Sequence, residues 1–157
     1  MKILILYYSY GGNTKGIAEM IHDEIGGDIA EIETVIPYTE DYNSVVDQGK
    51  REVESGFMPE IKIPEMDLSV YDTIVLGTPV WWYTFAPAMK TFLHNYDLSG
   101  KTIYPFATNG GWLGHTFKDF EKECAGADVK AGINIKFSSN NLHTAEAEIR
   151  KWAKGIL

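Results

Sequence analysis

Apolar residues in this chain fall into short, nearly unbroken runs that alternate with stretches of helical period. Lys2–Tyr8 and Thr73–Thr78 are apolar runs too short for helices, as expected for interior strands of a parallel sheet buried on both faces. Val129, Ala131, Ile133, Ile135 and Phe137 alternate with Lys130, Gly132, Asn134 and Lys136, and Ile29–Val35 carries Glu31 and Glu33 between apolar residues. One wet face of this kind predicts edge strands. Between them the period becomes helical: Ile17, Ala18, Met20, Ile21 and Ile25 make one stripe, ended by Gly26-Gly27, and Phe85, Met89, Phe92, Leu93 and Tyr96 make another with Pro87 in its first turn. Three weaker helices are expected on Tyr42, Val45, Val46 and Val53, on Phe117, Phe120 and Cys124, and on Ala145, Ile149, Trp152, Ala153 and Ile156.

With a fourth strand at Lys101–Thr108 the order is βαβαβαβαβα. Strict alternation implies a parallel sheet with helices on both faces, joined by right-handed crossovers. The expected architecture is a three-layer α/β/α domain spanning residues 1–157, with a five-stranded parallel sheet of order 2-1-3-4-5. Pro105 falls inside the fourth strand, where its missing N–H removes a ladder bond, so a bulge is expected there.

Composition narrows the function classes. The 157 residues are 45% hydrophobic and carry a net charge of −8, which suits one ordinary core and argues against nucleic acid. No run approaches the ~18 apolar residues of a membrane span, and the expectation is a cytoplasmic protein. Cys124, the one cysteine, has no partner for a disulfide and no neighbours spaced for zinc. Acidity is concentrated: Glu19–Asp67 holds 14 acidic and 3 basic residues, a balance of −11 that leaves +3 for the rest. That block is a solvated face or a docking surface for a basic partner.

Open α/β sheets bind ligands beyond the carboxyl ends of their strands, near the point where strand order reverses. After the first strand comes Ser9-Tyr10-Gly11-Gly12-Asn13-Thr14, in which Gly11 and Gly12 permit close backbone approach, Ser9, Asn13 and Thr14 add short donors, and a helix N-terminus follows. This reads as a phosphate cradle, without the Lys of a P-loop or GxGxxG spacing. After the third strand, Thr78-Pro79-Val80-Trp81-Trp82-Tyr83-Thr84-Phe85 sets four aromatics in five positions, able to wall a planar ligand. At least one of them is expected to pack beneath neighbouring helices instead. After the fourth strand, Thr108-Asn109-Gly110-Gly111-Trp112-Leu113-Gly114-His115 again combines glycines with a flat surface, Trp112. His115 reads as a solvated helix-start residue, and His22, His94 and His143 have no ligand spacing.

A cradle and two aromatic, glycine-rich loops at one rim describe a phosphorylated planar cofactor. Pro79-Val80-Trp81-Trp82 followed by Pro105-Phe106-Ala107-Thr108-Asn109-Gly110-Gly111 resembles the flavodoxin family, in its branch with a Pro-x-Trp-Trp loop, over essentially the whole chain. The resemblance implies non-covalent FMN, with its phosphate on Ser9, Gly11, Gly12, Asn13 and Thr14. The isoalloxazine would lie between Thr78, Pro79, Val80, Trp81, Trp82 and Tyr83 on one side and Thr108, Asn109, Gly110, Gly111, Trp112 and Gly114 on the other. It also implies a low-potential electron carrier that docks basic-surfaced reductase and acceptor proteins; the alternative is an FMN-dependent NAD(P)H:quinone or related oxidoreductase. Two positions depart from the family pattern. Gly11 stands where a hydroxyl residue is usual, and residues 79–85 contain no Gly, although positive φ costs a bulky residue such as Trp82 or Tyr83 about 1–2 kcal/mol.

Overall fold

Residues 1–157 are described by a computed structural model, and its first strand already defines the layers. In β1 (Ile3–Tyr8) every residue is buried. Successive side chains leave a strand on opposite faces, so Leu4, Leu6 and Tyr8 enter one core with Ile74, Leu76, Met89, Phe92 and Phe120, while Ile3, Ile5 and Tyr7 enter another with Ile17, Ile21, Val75, Phe106, Ile149 and Ala153. Helices α1 (Asn13–Ile25) and α5 (Glu146–Lys154) cover the second face; α2 (Tyr42–Ser55), α3 (Pro87–Asn95) and α4 (Thr116–Glu123) lie on the first. Pro87 takes the first helical position of α3, where an N–H would have no partner anyway.

The sheet has nine strands rather than five, and it is mixed rather than wholly parallel. Besides β1, the long strands are β2 (Asp28–Thr34), β4 (Thr73–Trp81), β6 (Thr102–Asn109) and β8 (Ile133–Ser138), lying in the order β2-β1-β4-β6-β8 with parallel pairing. Four two-residue strands complete it. β3 (Ile61–Lys62) runs antiparallel to β2, β5 (Thr84–Phe85) antiparallel to β4, β7 (Asp128–Val129) parallel to β6, and β9 (Asn141–Leu142) antiparallel to β8. The path is therefore β3-β2-β1-β4-β6-β8-β9, and β3 and β9 hold the edges expected for the second and fifth strands.

Pro105 causes no bulge. It sits in register with Leu76 inside an unbroken β6. The carbonyl of Ile103 faces the other edge of β6, where it accepts from the Lys130 N–H at 2.8 Å; Pro105, two residues on, faces the same edge. That edge is paired with β7 at Thr102–Ile103 and with β8 from Phe106 onward. The break between β7 and β8 thus lies opposite the missing N–H, and the neighbouring strand absorbs the defect.

The α1–α5 seam carries ions. Arg150 bonds Asp23 at 3.1 Å and Glu24 and Glu146 at 2.9 Å, and Lys154 bonds Glu24 at 3.0 Å. Hydrogen bonds from Lys154 and Arg150 hold the Glu24 carboxyl below its ordinary value. A carboxyl lowered by folding stabilises above its unfolded pKa, and the effect fades as pH falls through the folded value. Glu24→Gln should therefore melt below the parent near neutral pH, with the difference disappearing in acid. A Tm gap that persists once the Glu24 carboxyl of the parent is protonated would contradict the assignment.

Candidate functional site

Beyond the carboxyl ends of β1, β4 and β6 lies a cleft of about 730 Å3, within the usual range for small-ligand sites. Its first wall is the turn into α1, where Gly11 and Gly12 have φ of 79° and 97°. The backbone N–H groups of Gly11, Gly12, Asn13 and Thr14 donate to nothing in the fold, and the N-cap residue of α1, Gly12, has no side chain to bond them. A Cβ placed at Gly11 or Gly12 would meet no atom within 4 Å. Unpaired amides at a helix N-terminus, with open space before them, suit an anion. Ser9 serves the turn indirectly: its Oγ accepts from the Lys15 N–H at 3.1 Å.

The second wall differs from the expected loop. Strand β4 continues to Trp81 and returns as β5, so Trp82 and Tyr83 are the centre of a two-residue hairpin turn. Their φ values are 51° and 72°, the geometry of a type I′ turn, which ordinarily selects Asn-Gly. The strain expected of bulky residues at positive φ is therefore present in this state, and neighbouring contacts hold it in place. The indole Nε1 of Trp82 donates to the Val46 carbonyl of α2 at 3.0 Å. The Tyr83 carbonyl accepts from the His115 N–H at 2.8 Å. Thr84 and His115 both bond the Asp119 carboxylate, and the Thr78 hydroxyl accepts from Ala86 N–H and donates to the Pro79 carbonyl. Trp82→Phe keeps a ring but removes the bond to α2, a loss of about 1 kcal/mol. Hydrogen exchange of the α2 amides should then quicken about fivefold, and unchanged exchange would show that the bond does not fasten the helix.

Two of the four aromatics pack inward: Phe85 is buried with its ring against Phe120, and Trp81 is half-buried. Its ring meets Tyr38, Tyr8 and Tyr10 edge-on, with centroids at 4.9, 6.0 and 6.1 Å. Trp82, Tyr83 and Trp112 are exposed at 38%, 49% and 64%, so three flat surfaces remain at the mouth. The third wall holds Thr108, Asn109 and Gly110, and Trp112 folds back so closely that a Cβ on Gly110 would lie 3.2 Å from its ring. Thr14 and Thr108, both buried, join the first and third walls through their hydroxyls at 2.7 Å.

Of the residues expected at the site, Gly11, Asn13, Thr14, Pro79, Val80, Trp81, Trp82, Tyr83, Thr108, Asn109, Gly110 and Trp112 line the cleft. Ser9, Gly12, Thr78, Gly111 and Gly114 stand outside its wall. Gly114 instead supports the hairpin turn: with φ of 58°, its Cβ would lie 2.3 Å from the Tyr83 carbonyl oxygen. Sequence reasoning missed two walls. Tyr42, Val45, Val46 and Gly49 bring α2 against the aromatic turn, and Phe137, Ser139 and Asn140 bring the β8–β9 hairpin, whose Ser139 carbonyl accepts from the Asn13 side chain at 3.0 Å. Each left a trace, Gly49 as a glycine inside a helical pattern and Ser138-Ser139-Asn140-Asn141 as a turn signature. No charged residue lines the cleft. Cys124 is buried at the end of α4, and burial pushes its thiol up to about 11. No helix is long and apolar enough to cross a membrane, and no cluster of His, Cys, Asp or Glu could hold a metal.

An open α/β sheet with an anion turn facing an aromatic hairpin at its switch point defines a protein of the mononucleotide-binding class. A family model described as Flavodoxin matches residues 2–156, and the chain belongs to that family. It is 32% identical to a putative flavoprotein from Bacteroides eggerthii, over 99% of this chain and 97% of the other, with a TM-score of 0.82. It is 27% identical to a flavoprotein from Lactobacillus acidophilus in complex with FMN, over 97% of this chain and 98% of that one, with a TM-score of 0.78. Oxidised flavodoxin 2 from Bacillus cereus, 22% identical over 98% and 96% of the two chains with a TM-score of 0.61, shares the fold. Comparison with curated proteins gives no match. The flavodoxin family binds FMN, and the residues here fit that group: free amides before open space for the phosphate, and uncharged aromatic walls for the ring.

Proposed function

We propose that the protein binds FMN non-covalently in this cleft and carries electrons at low potential between redox partner proteins. The observation that supports the reading is the chemistry of the walls: aromatic rings, amides and hydroxyls, with no carboxylate, amine, imidazole or thiol among the lining residues. Such a site has no charged base or nucleophile for work on a bound substrate, and no cation for the phosphates of a pyridine dinucleotide. FMN supplies one- and two-electron redox chemistry when bound. The chain would hold its phosphate on the amides of Gly11 to Thr14 and flank its ring with Trp82, Tyr83 and Trp112. The acidic block between Glu19 and Asp67, which includes α2 beside the cleft, disfavours added negative charge on the ring and suits docking of a basic-surfaced reductase or acceptor. Salt screens these exposed charges beyond about 8–10 Å, so partner reduction should slow as ionic strength rises.

Anaerobic titration of the FMN-loaded protein against a mediator-coupled electrode tests the reading. Two separate one-electron steps are expected, with no oxidation of NAD(P)H by the isolated protein; rapid NAD(P)H oxidation without a partner would select the oxidoreductase alternative instead. A protein that fails to take up FMN would remove both. Stripping the cofactor should lower Tm, and re-addition should restore it in proportion to the logarithm of free FMN.

A further inference from the structure

Two threonines occupy core positions that valine would fill as well. In α1, Thr14 heads the buried stripe continued by Ile17, Ala18 and Ile21. In β6, Thr108 lies two residues beyond Phe106 and so on the same face of the strand, and Phe106 shares its core with Ile17 and Ile21. Thr14 is 1% exposed and Thr108 4%. Their hydroxyls bond each other at 2.7 Å, and neither side chain has another hydrogen bond in the fold.

A bond between two hydroxyls uses one hydrogen and leaves the other without an acceptor. A pair of valines would fill the same space and bury no polar group, and replacing both partners of a buried bond with apolar groups costs little. Packing therefore gives no account of the pair. Both residues line the FMN cleft, and the surplus hydrogen has that space to enter. Which hydroxyl carries it follows from their surroundings. Thr14 lies in the first turn of α1, beside the unpaired amides of Gly11, Gly12 and Asn13 and at the positive end of the helix dipole. A phosphate dianion bound there accepts hydrogen bonds and offers none, so Thr14 spends its hydrogen on the phosphate and accepts the hydrogen of Thr108.

We propose that Thr108 is a positioning residue for phosphate recognition: it donates to the Thr14 oxygen and so fixes the Thr14 hydroxyl with its hydrogen toward the phosphate. A donor into the Thr14 oxygen also polarises the outgoing O–H and strengthens its bond. The pair thereby favours the phosphorylated flavin over the same ring and ribityl chain without phosphate. This rests on FMN being the occupant of the cleft, as proposed above.

Fluorescence titration of apoprotein with FMN and with riboflavin tests the pair. Thr108→Val should weaken FMN about fivefold with riboflavin unchanged, and Thr108→Ser, which keeps the hydroxyl, should return FMN affinity to within about twofold of the parent. Thr14→Val should weaken FMN about thirtyfold, and adding Thr108→Val to it should cost nothing more, because the second residue acts only through the first. The double variant also guards against misfolding. It leaves no lone buried hydroxyl, so it should melt no lower than either single variant. Equal losses for FMN and riboflavin in Thr108→Val, FMN affinity indifferent to that substitution, or additive losses in the double variant would overturn the proposal. Where riboflavin binds too weakly to compare, inorganic phosphate takes its place: it should raise the Tm of the parent apoprotein more than that of Thr108→Val, and equal rises would overturn the relay. A parent that takes up no FMN removes the proposed function together with the relay, whereas FMN uptake indifferent to Thr108 removes the relay alone.

Discussion

Gly114→Ala is expected to lower Tm by about 6–12 °C and to weaken FMN binding at least tenfold, although Gly114 does not line the cleft. Two effects add. At φ of 58° an L side chain carries a penalty of about 1–2 kcal/mol. The new Cβ would also lie 2.3–2.6 Å from the carbonyl oxygen, Cβ and Cα of Tyr83. Two of these are backbone atoms that cannot rotate aside, so an overpacking cost of about 1–3 kcal/mol follows. A total near 3 kcal/mol gives the stated shift at 2–4 °C per kcal/mol for a domain of this size. Yielding would also break the bond from His115 N–H to the Tyr83 carbonyl and so move the turn that walls the cofactor. Gly100→Ala is the control. Its φ is 80° and its Cβ meets nothing within 4 Å, so it should show the backbone penalty alone and leave FMN affinity intact. Equal effects from the two substitutions would show that contact with Tyr83 does not support the site.

Gly12→Val is the second, and its effect is expected mainly in binding: about a hundredfold loss of FMN affinity, near 2.7 kcal/mol. At φ of 97° the turn lies where a β-branched residue is strained. Relief of that strain rotates the Gly12 and Asn13 amides, which have no acceptor inside the protein and so no internal contact to hold them. The added methyl groups would enter the open space before the helix. Fluorescence titration of FMN into apoprotein measures the change, and affinity within a factor of three of the parent would remove this turn from the phosphate site.

The helices and long strands were legible because each carries a period over many residues. Ile17 to Ile25 mark a single face, and β1 is a run with both faces buried. Strands of two residues hold no period, so β3, β5 and β9 were invisible, and with them the true sheet edges, while the alternation over Val129–Phe137 ran β7 and β8 together as one strand. The aromatic hairpin was hidden for a different reason. Its turn type is announced by Asn-Gly, and here Trp82-Tyr83 adopts that turn against local preference, held by α2, Gly114 and the residues around Asp119. Pro105 misled in the same way, since its own strand stays regular while the adjacent one breaks. At the site, loops following strands were readable from their glycines and aromatics. The walls made by α2 and the β8–β9 hairpin depend on how distant elements pack, which local composition does not encode.

The two-residue strands at the margins also bear on how copies of this chain meet. Both outermost strands, β3 and β9, run opposite to their neighbours and offer a ladder only two residues long. A long, flat, unpaired margin is a template for adding a strand from another molecule; β3 covers only Glu33 and Thr34 of β2, so the outer margin from Asp28 to Ile32 stays open and carries the charges of Asp28 and Glu31. Margin-to-margin strand addition is therefore opposed there by like charge rather than by a short ladder, and should quicken for apoprotein as salt screens those charges.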